Sequence, residues 1–252
     1  MTDHSPNIDR AMILAAGLGT RMRPITNTLP KPLVPVAGRT LLDRALDSLE
    51  TAGIDQVFVN VHYLADQIEN HLANRPTPTT LISDERAELL DSGGGVKQAI
   101  AAEADGPLII LNGDSFWIDK HGSNIARLQA AWDSDRMDML LLLADPDQAV
   151  GFDGPGDFFM NRDSQLARRG TAASAPHIYA GAIVTTVAYI RQITASRFSL
   201  NELFDRAIAK NRLYGLRLDG LWLHVGTPDS IGEAEQAIER YAANSGTKVT
   251  ER

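Results

Sequence analysis

Apolar runs of strand length alternate with amphipathic segments of helical period from Ala11 to Asp145, and few architectures accommodate that order. "AMILAAG", "DQVFVNV", "TLISDE", "PLIILNGD" and "MDMLLLLAD" read as strands, the fourth running into a polar turn. Between them, "TLLDRALDSLETAG" places Leu42, Ala45, Leu46 and Leu49 on one helical face and closes on Gly53, while "YLADQIENHLA", "GVKQAIAAEA" and "NIARLQAAWDS" follow as helices. Strands separated by helices of this length predict βαβ units in a single α/β domain of Rossmann-like form, with a mixed, mainly parallel sheet covered by helices on both faces. Ligands of such sheets collect at the carboxyl ends of strands. Those ends are Gly17 onward, Asn60 to Tyr63, Ser83 onward and Asn112 to Asp114.

Beyond Gly151 the periodicity weakens, and "GFDGPGDFFMNRDSQLARRGTAASAPH" reads as a loop or small antiparallel excursion over one end of the sheet. "IYAGAIVTT" returns as strand and "SLNELFDRAIAKN" as a helix with Ser199 as its cap and Glu202 at the capping-box position. "LYGLRLDG" and "LWLHVG" are two short strands, and "DSIGEAEQAIERYAAN" is the last helix. The domain is expected over residues 11–244, between a disordered extension at 1–10 and a polar tail at 245–252.

With 252 residues and 44% hydrophobic content, the chain can bury a sizeable core. Its formal charge of -8, without a basic block, argues against nucleic acid or an anionic membrane as partner, since such binding rests on Lys and Arg neutralising phosphates. A phosphorylated small molecule needs only a few local arginines. The absence of cysteine rules out disulfides, thiolate metal sites and cysteine nucleophiles. "MTDHSPNIDR" has no apolar signal-peptide core, and no run approaches the roughly 20 apolar residues of a membrane helix, so a soluble cytoplasmic protein is expected.

The stretch "LAAGLGTRMRPIT" at 14 to 26 is a glycine-punctuated turn after the first strand. A dinucleotide fingerprint would read G-x-G-x-x-G, but Met22 stands at the third glycine, and the nearest acid at the right distance, Asp43, lies within an amphipathic helix. A Walker loop is absent as well. What remains is a strand leading into Gly17, Gly19, Thr20, Arg21 and Arg23, followed by "LPKPLVPVAG" with Lys31. Bare glycine backbone and three cations suit a polyphosphate.

These residues carry a resemblance. "LAAGLGTRMRPITNTLPKPLVPVAG" resembles the signature of the sugar-1-phosphate nucleotidyltransferases, and "LLDSGGGVKQA", "LNGD", "YAG" and "LWLHVGTPDSIGEAE" are similar to further segments of that family along nearly the whole chain. The resemblance implies the nucleotide-diphospho-sugar transferase fold. It also implies transfer of a nucleoside monophosphate from an NTP to a sugar 1-phosphate, with release of pyrophosphate.

The resemblance implies roles residue by residue. Leu14, Ala15, Ala16, Gly17, Gly19, Thr20 and Arg21 would hold the NTP, with Ser92, Gly93, Gly94, Asn112 and Gly113 completing the nucleotide site. The three glycines of "DSGGGVKQA" are read as bare backbone before a helix, facing the base. Arg21, Lys31 and Asp114 would be catalytic: Arg21 neutralises charge on the leaving pyrophosphate, and Lys31 grips the α-phosphate or the sugar phosphate. Asp91, Gly181 and Asn201 would contact the sugar phosphate. Asp114 would hold Mg2+, a hard cation that prefers oxygen.

Trp222-Leu223-His224-Val225-Gly226-Thr227 departs from the family's W-x-D-V-G-T, where the aspartate is the second metal ligand. Imidazole suits Mn2+ better than Mg2+. His224 therefore ligates a softer metal directly or through water, contacts phosphate, or packs as a neutral strand residue. His62, His71, His121 and His177 lack ligand spacing and read as exposed or capping residues. No nucleophile is needed, because displacement at phosphorus by a phosphate oxygen requires positioning and charge neutralisation.

For substrates, the compact chain is similar to uridylyltransferases that use UTP and N-acetylmuramate 1-phosphate in bacterial cell-wall recycling, with guanylyl transfer to mannose 1-phosphate as the alternative. A monomer or homodimer is expected, and a non-catalytic nucleotide-sugar sensor is the second class that His224 keeps open.

Overall fold

The computed structural model describes residues 8–245. Its first half contains β1 (Arg10–Leu14), β2 (Pro35–Val36), β3 (Arg39–Thr40), α1 (Leu41–Thr51), β4 (Gln56–Val61), α2 (Ala65–Leu72), β5 (Thr79–Asp84), α3 (Asp91–Ala99), β6 (Pro107–Asn112), β7 (Ser115–Asp119) and α4 (Asn124–Ala131). The second half adds β8 (Met139–Ala144), β9 (Ala149–Val150), β10 (Phe158–Met160), β11 (Leu166–Arg168), β12 (Ile178–Thr186), α5 (Val187–Ile190), α6 (Leu200–Ala209), β13 (Leu213–Arg217), β14 (Gly220–His224) and α7 (Pro228–Ser245).

Seven strands form the main sheet in the order β13-β8-β12-β6-β1-β4-β5. All neighbours are parallel except β12, which runs antiparallel to both β6 and β8. Residues of β6 point alternately to the two faces: Ile109 and Leu111 enter one apolar layer, Leu108 and Ile110 the other. That double burial explains why the strand reads as continuous apolar sequence rather than as alternation. On one face, α1 buries Leu42, Ala45, Leu46 and Leu49, and Thr40 caps it by accepting from the Asp43 amide at 3.0 Å. The opposite face carries α3, α5 and α6.

A three-stranded sheet, β7-β14-β9, stands beside the main one, and β10 pairs with β11 as the expected antiparallel excursion. β7 was not expected: it starts immediately after Asp114, where the sequence reads only as a polar turn. A third apolar cluster joins Met22, Val34, Phe116, Leu223, Val225 and Ile238, fastening the loop after β1 to this small sheet and to α7.

Three further expectations are corrected. Order begins before residue 11: Ile8 is buried, Gln129 donates to its carbonyl, and Arg10 opens β1 while pairing with Glu103. Residues 1–7 of the expected extension, and 246–252 of the expected tail, lie outside the described residues, while Ser245 ends α7. At α6, Ser199 accepts from the Asn201 amide, but the Glu202 carboxylate turns away from the capping box to Arg206.

The third correction concerns the triple glycine, which lies inside α3 rather than before it. A Cβ on Gly94 would sit well inside van der Waals contact distance of the Ser196 carbonyl oxygen, and one on Gly93 well inside that of the Phe198 ring. The amides of Gly93 and Gly94 both donate to the Phe198 carbonyl, at 2.9 and 3.1 Å. These glycines admit the segment 196–198 against the helix. In an open helix Gly→Ala stabilises by about 1 kcal/mol, whereas Gly94→Ala is expected to destabilise this chain by ~1–3 kcal/mol through overpacking. A fall in the urea unfolding midpoint checks it; a rise would show that the loop yields.

Candidate active site

β1 is hydrogen-bonded to β4 on one side and β6 on the other, and the chain leaves for β4 and β5 before returning to β6. The connections at the carboxyl ends of β1 and β6 therefore part, opening the crevice where open α/β sheets bind ligands. A cleft of about 340 Å³ lies there. Leu14, Ala15, Ala16, Gly17, Lys31, Asn112, Gly113 and Asp114 form one part of its lining; Asn60, Glu85, Leu89, Asp91, Ser92 and Arg197 form the other.

The loop after β1 is held by its far end. Met22 is fully buried, worth about 1.5–3 kcal/mol for a side chain of this size. Burying it leaves the flanking Arg21 and Arg23 exposed. Gly19 has φ +60, and its carbonyl accepts from the Thr26 hydroxyl at 2.7 Å. The amides of Ala16, Gly17, Leu18 and Gly19 donate to no group among the described residues, and a Cβ on Gly17 would meet nothing within 4 Å. Four free amides beside unpaired arginines make an anion cradle.

Asp114 follows β6. Its carbonyl accepts from the Val225 amide at 3.0 Å, and the Gly113 amide before it donates to the Leu14 carbonyl at 3.1 Å. Its Oδ2 pairs with Lys31 Nζ at 3.0 Å, with only 11% of the lysine side chain exposed. Burial works to raise the Asp114 pKa, but Lys31, His224 and Arg21 outweigh it and hold the carboxyl below its ordinary range. Asp114 is thus an anion at neutral pH.

His224 ends β14 opposite Ser115. The imidazole stacks on Trp222 at 5.8 Å between centroids and meets the edge of Phe152. Burial pushes its pKa down; Asp114 opposes that, and Lys31 and Arg21 add to it, so the ring is neutral at pH 7. A Cβ on Gly226 would come 2.7 Å from His224 Nε2 and 3.6 Å from Arg21 Nη1, so the glycine keeps the ring and the guanidinium close. The ring both packs and faces the charged groups, and the two roles are compatible.

The donor set can hold one divalent cation. Asp114 Oδ1 has no hydrogen bond among the described residues, and the neutral imidazole has a lone pair to offer. Among the described residues no group of three or more His, Asp or Glu could cage a metal. Such an ion would complete its shell with phosphate oxygens and water, as Mg2+ commonly does.

The remaining expected residues separate. Asp91, at φ +63, and Ser92 line the cleft; Asp91 Oδ1 accepts from the Ser92 amide, and Ser92 Oγ accepts from the Leu200 amide. Gly93 and Gly94 do not reach it, because both are buried and their amides are spent on Phe198. Gly181, at φ +89, lies against Asn112 and Ser115, where a Cβ would come 3.2 Å from the Asn112 Cβ. Asn201 stays on the exposed first turn of α6 with its amide on Ser199 Oγ. His62 binds the Glu85 carbonyl, while His71, His121 and His177 pair with Asp43, Asp219 and Asp145.

Sequence reading missed Asn60, Glu85, Arg197 and Tyr179. Arg197 lines the cleft with no ion-pair partner among the described residues, on a segment whose carbonyls at 193, 194 and 195 are clamped by Lys97. Tyr179 buries a hydroxyl without a hydrogen-bond partner among the described residues, and its pKa is raised by burial and by Asp114. An isolated arginine in "ASRFS" or the tyrosine of "YAG" carries no positional signal by itself.

The chain belongs to the MobA-like NTP transferase domain family, whose model matches residues 11–191. It is an enzyme of nucleotidyl transfer. Among individual relatives, it is 42% identical over 232 residues to the N-acetylmuramate alpha-1-phosphate uridylyltransferase of Caulobacter vibrioides, covering 90% of this chain and 96% of that one. The same-named protein of Neisseria meningitidis is 30% identical over 238 residues, again covering 90% and 96%. The D-glycero-alpha-D-manno-heptose 1-phosphate guanylyltransferase of Aneurinibacillus thermoaerophilus is 25% identical over 92% of this chain and 99% of its own. HddC from Yersinia pseudotuberculosis, solved as a complex with GMP-PN, superposes with a TM-score of 0.73 at 21% identity over 92% of this chain and all of that one, a likeness of fold.

Arg21 is exposed and has no ion pair among the described residues, so Arg21→Ala is expected to leave stability within about 0.5 kcal/mol. It is expected to lower kcat by about 10²–10³, as for removal of one donor to developing charge. Pyrophosphate release alongside urea unfolding measures both, and full activity in this variant would remove Arg21 from the chemistry.

Proposed function

We propose that this chain transfers a uridylyl group from UTP to N-acetylmuramate 1-phosphate, releasing pyrophosphate and forming UDP-N-acetylmuramate. The observation that carries the reaction is the meeting of Lys31, Asp114, Arg21 and the free amides of Ala16 to Gly19 at one end of the cleft. The sugar and base rest on the 42% and 30% identities to enzymes of that name.

The free amides and Arg21 hold the β- and γ-phosphates, and Arg21 meets the charge that builds as the bond between the α-phosphorus and its bridging oxygen to the β-phosphate breaks. Lys31 is a point charge with rotatable donors, suited to following an α-phosphate oxygen as the geometry at phosphorus inverts. A phosphate oxygen of the sugar 1-phosphate forms the new bond in line, and pyrophosphate leaves with the electron pair. Asp114, with His224 beside it, would hold a divalent cation that neutralises phosphate charge; Mg2+ suits the carboxylate, and an imidazole ligand would favour Mn2+.

Asp91 and Ser92 form the wall facing the nucleotide. Gly181 packs beside Asn112 behind the end of the cleft assigned to the sugar phosphate, and Arg197 is an added donor on the cleft wall. Among the described residues no helix is long and apolar enough to cross a membrane. We place the reaction in the cytoplasm, where NTPs are supplied, in cell-wall recycling. The sensor reading finds no counterpart among the relatives named above, which are transferases.

The test is pyrophosphate release from UTP, GTP, CTP and dTTP against N-acetylmuramate, N-acetylglucosamine and mannose 1-phosphates, first with Mg2+ and then with Mn2+. UTP with N-acetylmuramate 1-phosphate is expected to lead by at least about tenfold in kcat/KM, the discrimination of a single well-placed contact. A lead for GTP with mannose 1-phosphate would establish the guanylyl alternative instead.

A further inference from the structure

Asn60, in β4, and Glu85, one residue beyond β5, are 3% and 2% exposed. Glu85 has no cationic partner among the described residues, so its carboxylate must be satisfied by hydrogen bonds. Asn60 Oδ1 accepts from the Ala15 amide at 2.7 Å, which fixes the orientation of the side-chain amide. Its Nδ2 donates to Glu85 Oε1 at 2.7 Å, and Glu85 Oε2 accepts from the Leu90 amide at 3.0 Å. The Glu85 backbone is anchored as well, its amide on the Val61 carbonyl and its own carbonyl on His62. Gly95 lies against the pair: a Cβ there would come 2.5 Å from Glu85 Oε1 and 2.7 Å from Asn60 Nδ2.

The two ends of this hydrogen-bonded chain are the backbone amides of Ala15, in the cleft lining, and of Leu90, between the lining residues Leu89 and Asp91. Ala15 precedes the free amides of Ala16 to Gly19, and Leu90 precedes Asp91 and Ser92. We infer that Asn60 and Glu85 are positioning residues: a buried strut that sets the distance between the phosphate-cradling loop and the start of α3, and thereby the fit of the nucleoside triphosphate. This rests on the reading of the cleft as the nucleotide site. The polarity of every link is determined by chemistry, because a carboxylate only accepts whereas a carboxamide both donates and accepts.

That polarity supplies a test on the full chain. Asn60→Asp alone sets acceptor against acceptor and buries a second negative charge. Glu85→Gln alone has one oxygen to serve both Asn60 and Leu90, so a donor faces a donor. The double variant N60D/E85Q conserves net charge and restores all three links: the carboxylate at 60 accepts from Ala15 and from the amide at 85, whose oxygen accepts from Leu90.

Each single variant is expected to weaken UTP binding by about tenfold in direct titration without turnover, the cost of one broken buried link. The KM for UTP should rise equally, with the KM for the sugar phosphate unchanged. The double variant should recover UTP affinity and the melting temperature together. UTP affinity unaltered in folded single variants would overturn the strut, as would a double variant that fails to fold or stays weak. If the unsubstituted chain binds no nucleoside triphosphate, the reading of the cleft fails instead.

Discussion

Parallel pairing of β1 with β6, ending at Leu14 opposite Asn112, is the constraint on which the site depends. Up to that register the two backbones satisfy each other. Beyond it they part, and their polar groups need other partners or a ligand. Some are supplied locally, through Gly113 to Leu14 and Ala15 to Asn60. Those of Ala16 to Gly19 find no partner among the described residues, and in the proposed reading this deficit is what makes the strand end an anion site rather than a turn.

Charge is then concentrated by packing from a distance. Burial of Met22 and Val225 in one apolar cluster brings the first loop against the end of β14, placing Arg21 near His224. Lys31 reaches Asp114 across the same junction. A lone desolvated carboxylate would take up a proton; beside Lys31 and Arg21 it stays ionised, and burial together with the same two cations depresses the imidazole. Each group fixes the protonation of the next. His224 in place of a carboxylate makes this site less anionic than an aspartate pair would be.

Most of the architecture could be read from residue order. The strands "QVFVNV", "PLIILN" and "MLLLLA" and the helices that separate them were legible because burial on both faces and on one face write different apolar patterns. β7 was not, since Ser115–Asp119 mixes polar and aromatic residues and gains its place only by pairing with β14 from the far end of the chain. The glycines at 93 to 95 looked like a ligand loop because a missing side chain is silent about its reason. Only the folded packing shows that Phe198, Ser196, Glu85 and Asn60 occupy the space a Cβ would take.

By itself the sequence determined the α/β order, the cationic turn after the first strand, and an aspartate just past the end of an apolar strand. Those are local patterns, written in periodicity and in residue type. Tertiary structure alone decided which polar residues are buried and bonded to one another and which line the cleft. Asn60 and Glu85 look like ordinary polar strand ends, yet they are buried and bonded across three segments; Arg197 looks like one surface arginine among many, yet it lines the cleft. The physical reason is that a polar group's role depends on whether its partners are protein, water or ligand, and those partners come from segments whose separation along the chain says nothing of their distance in the fold.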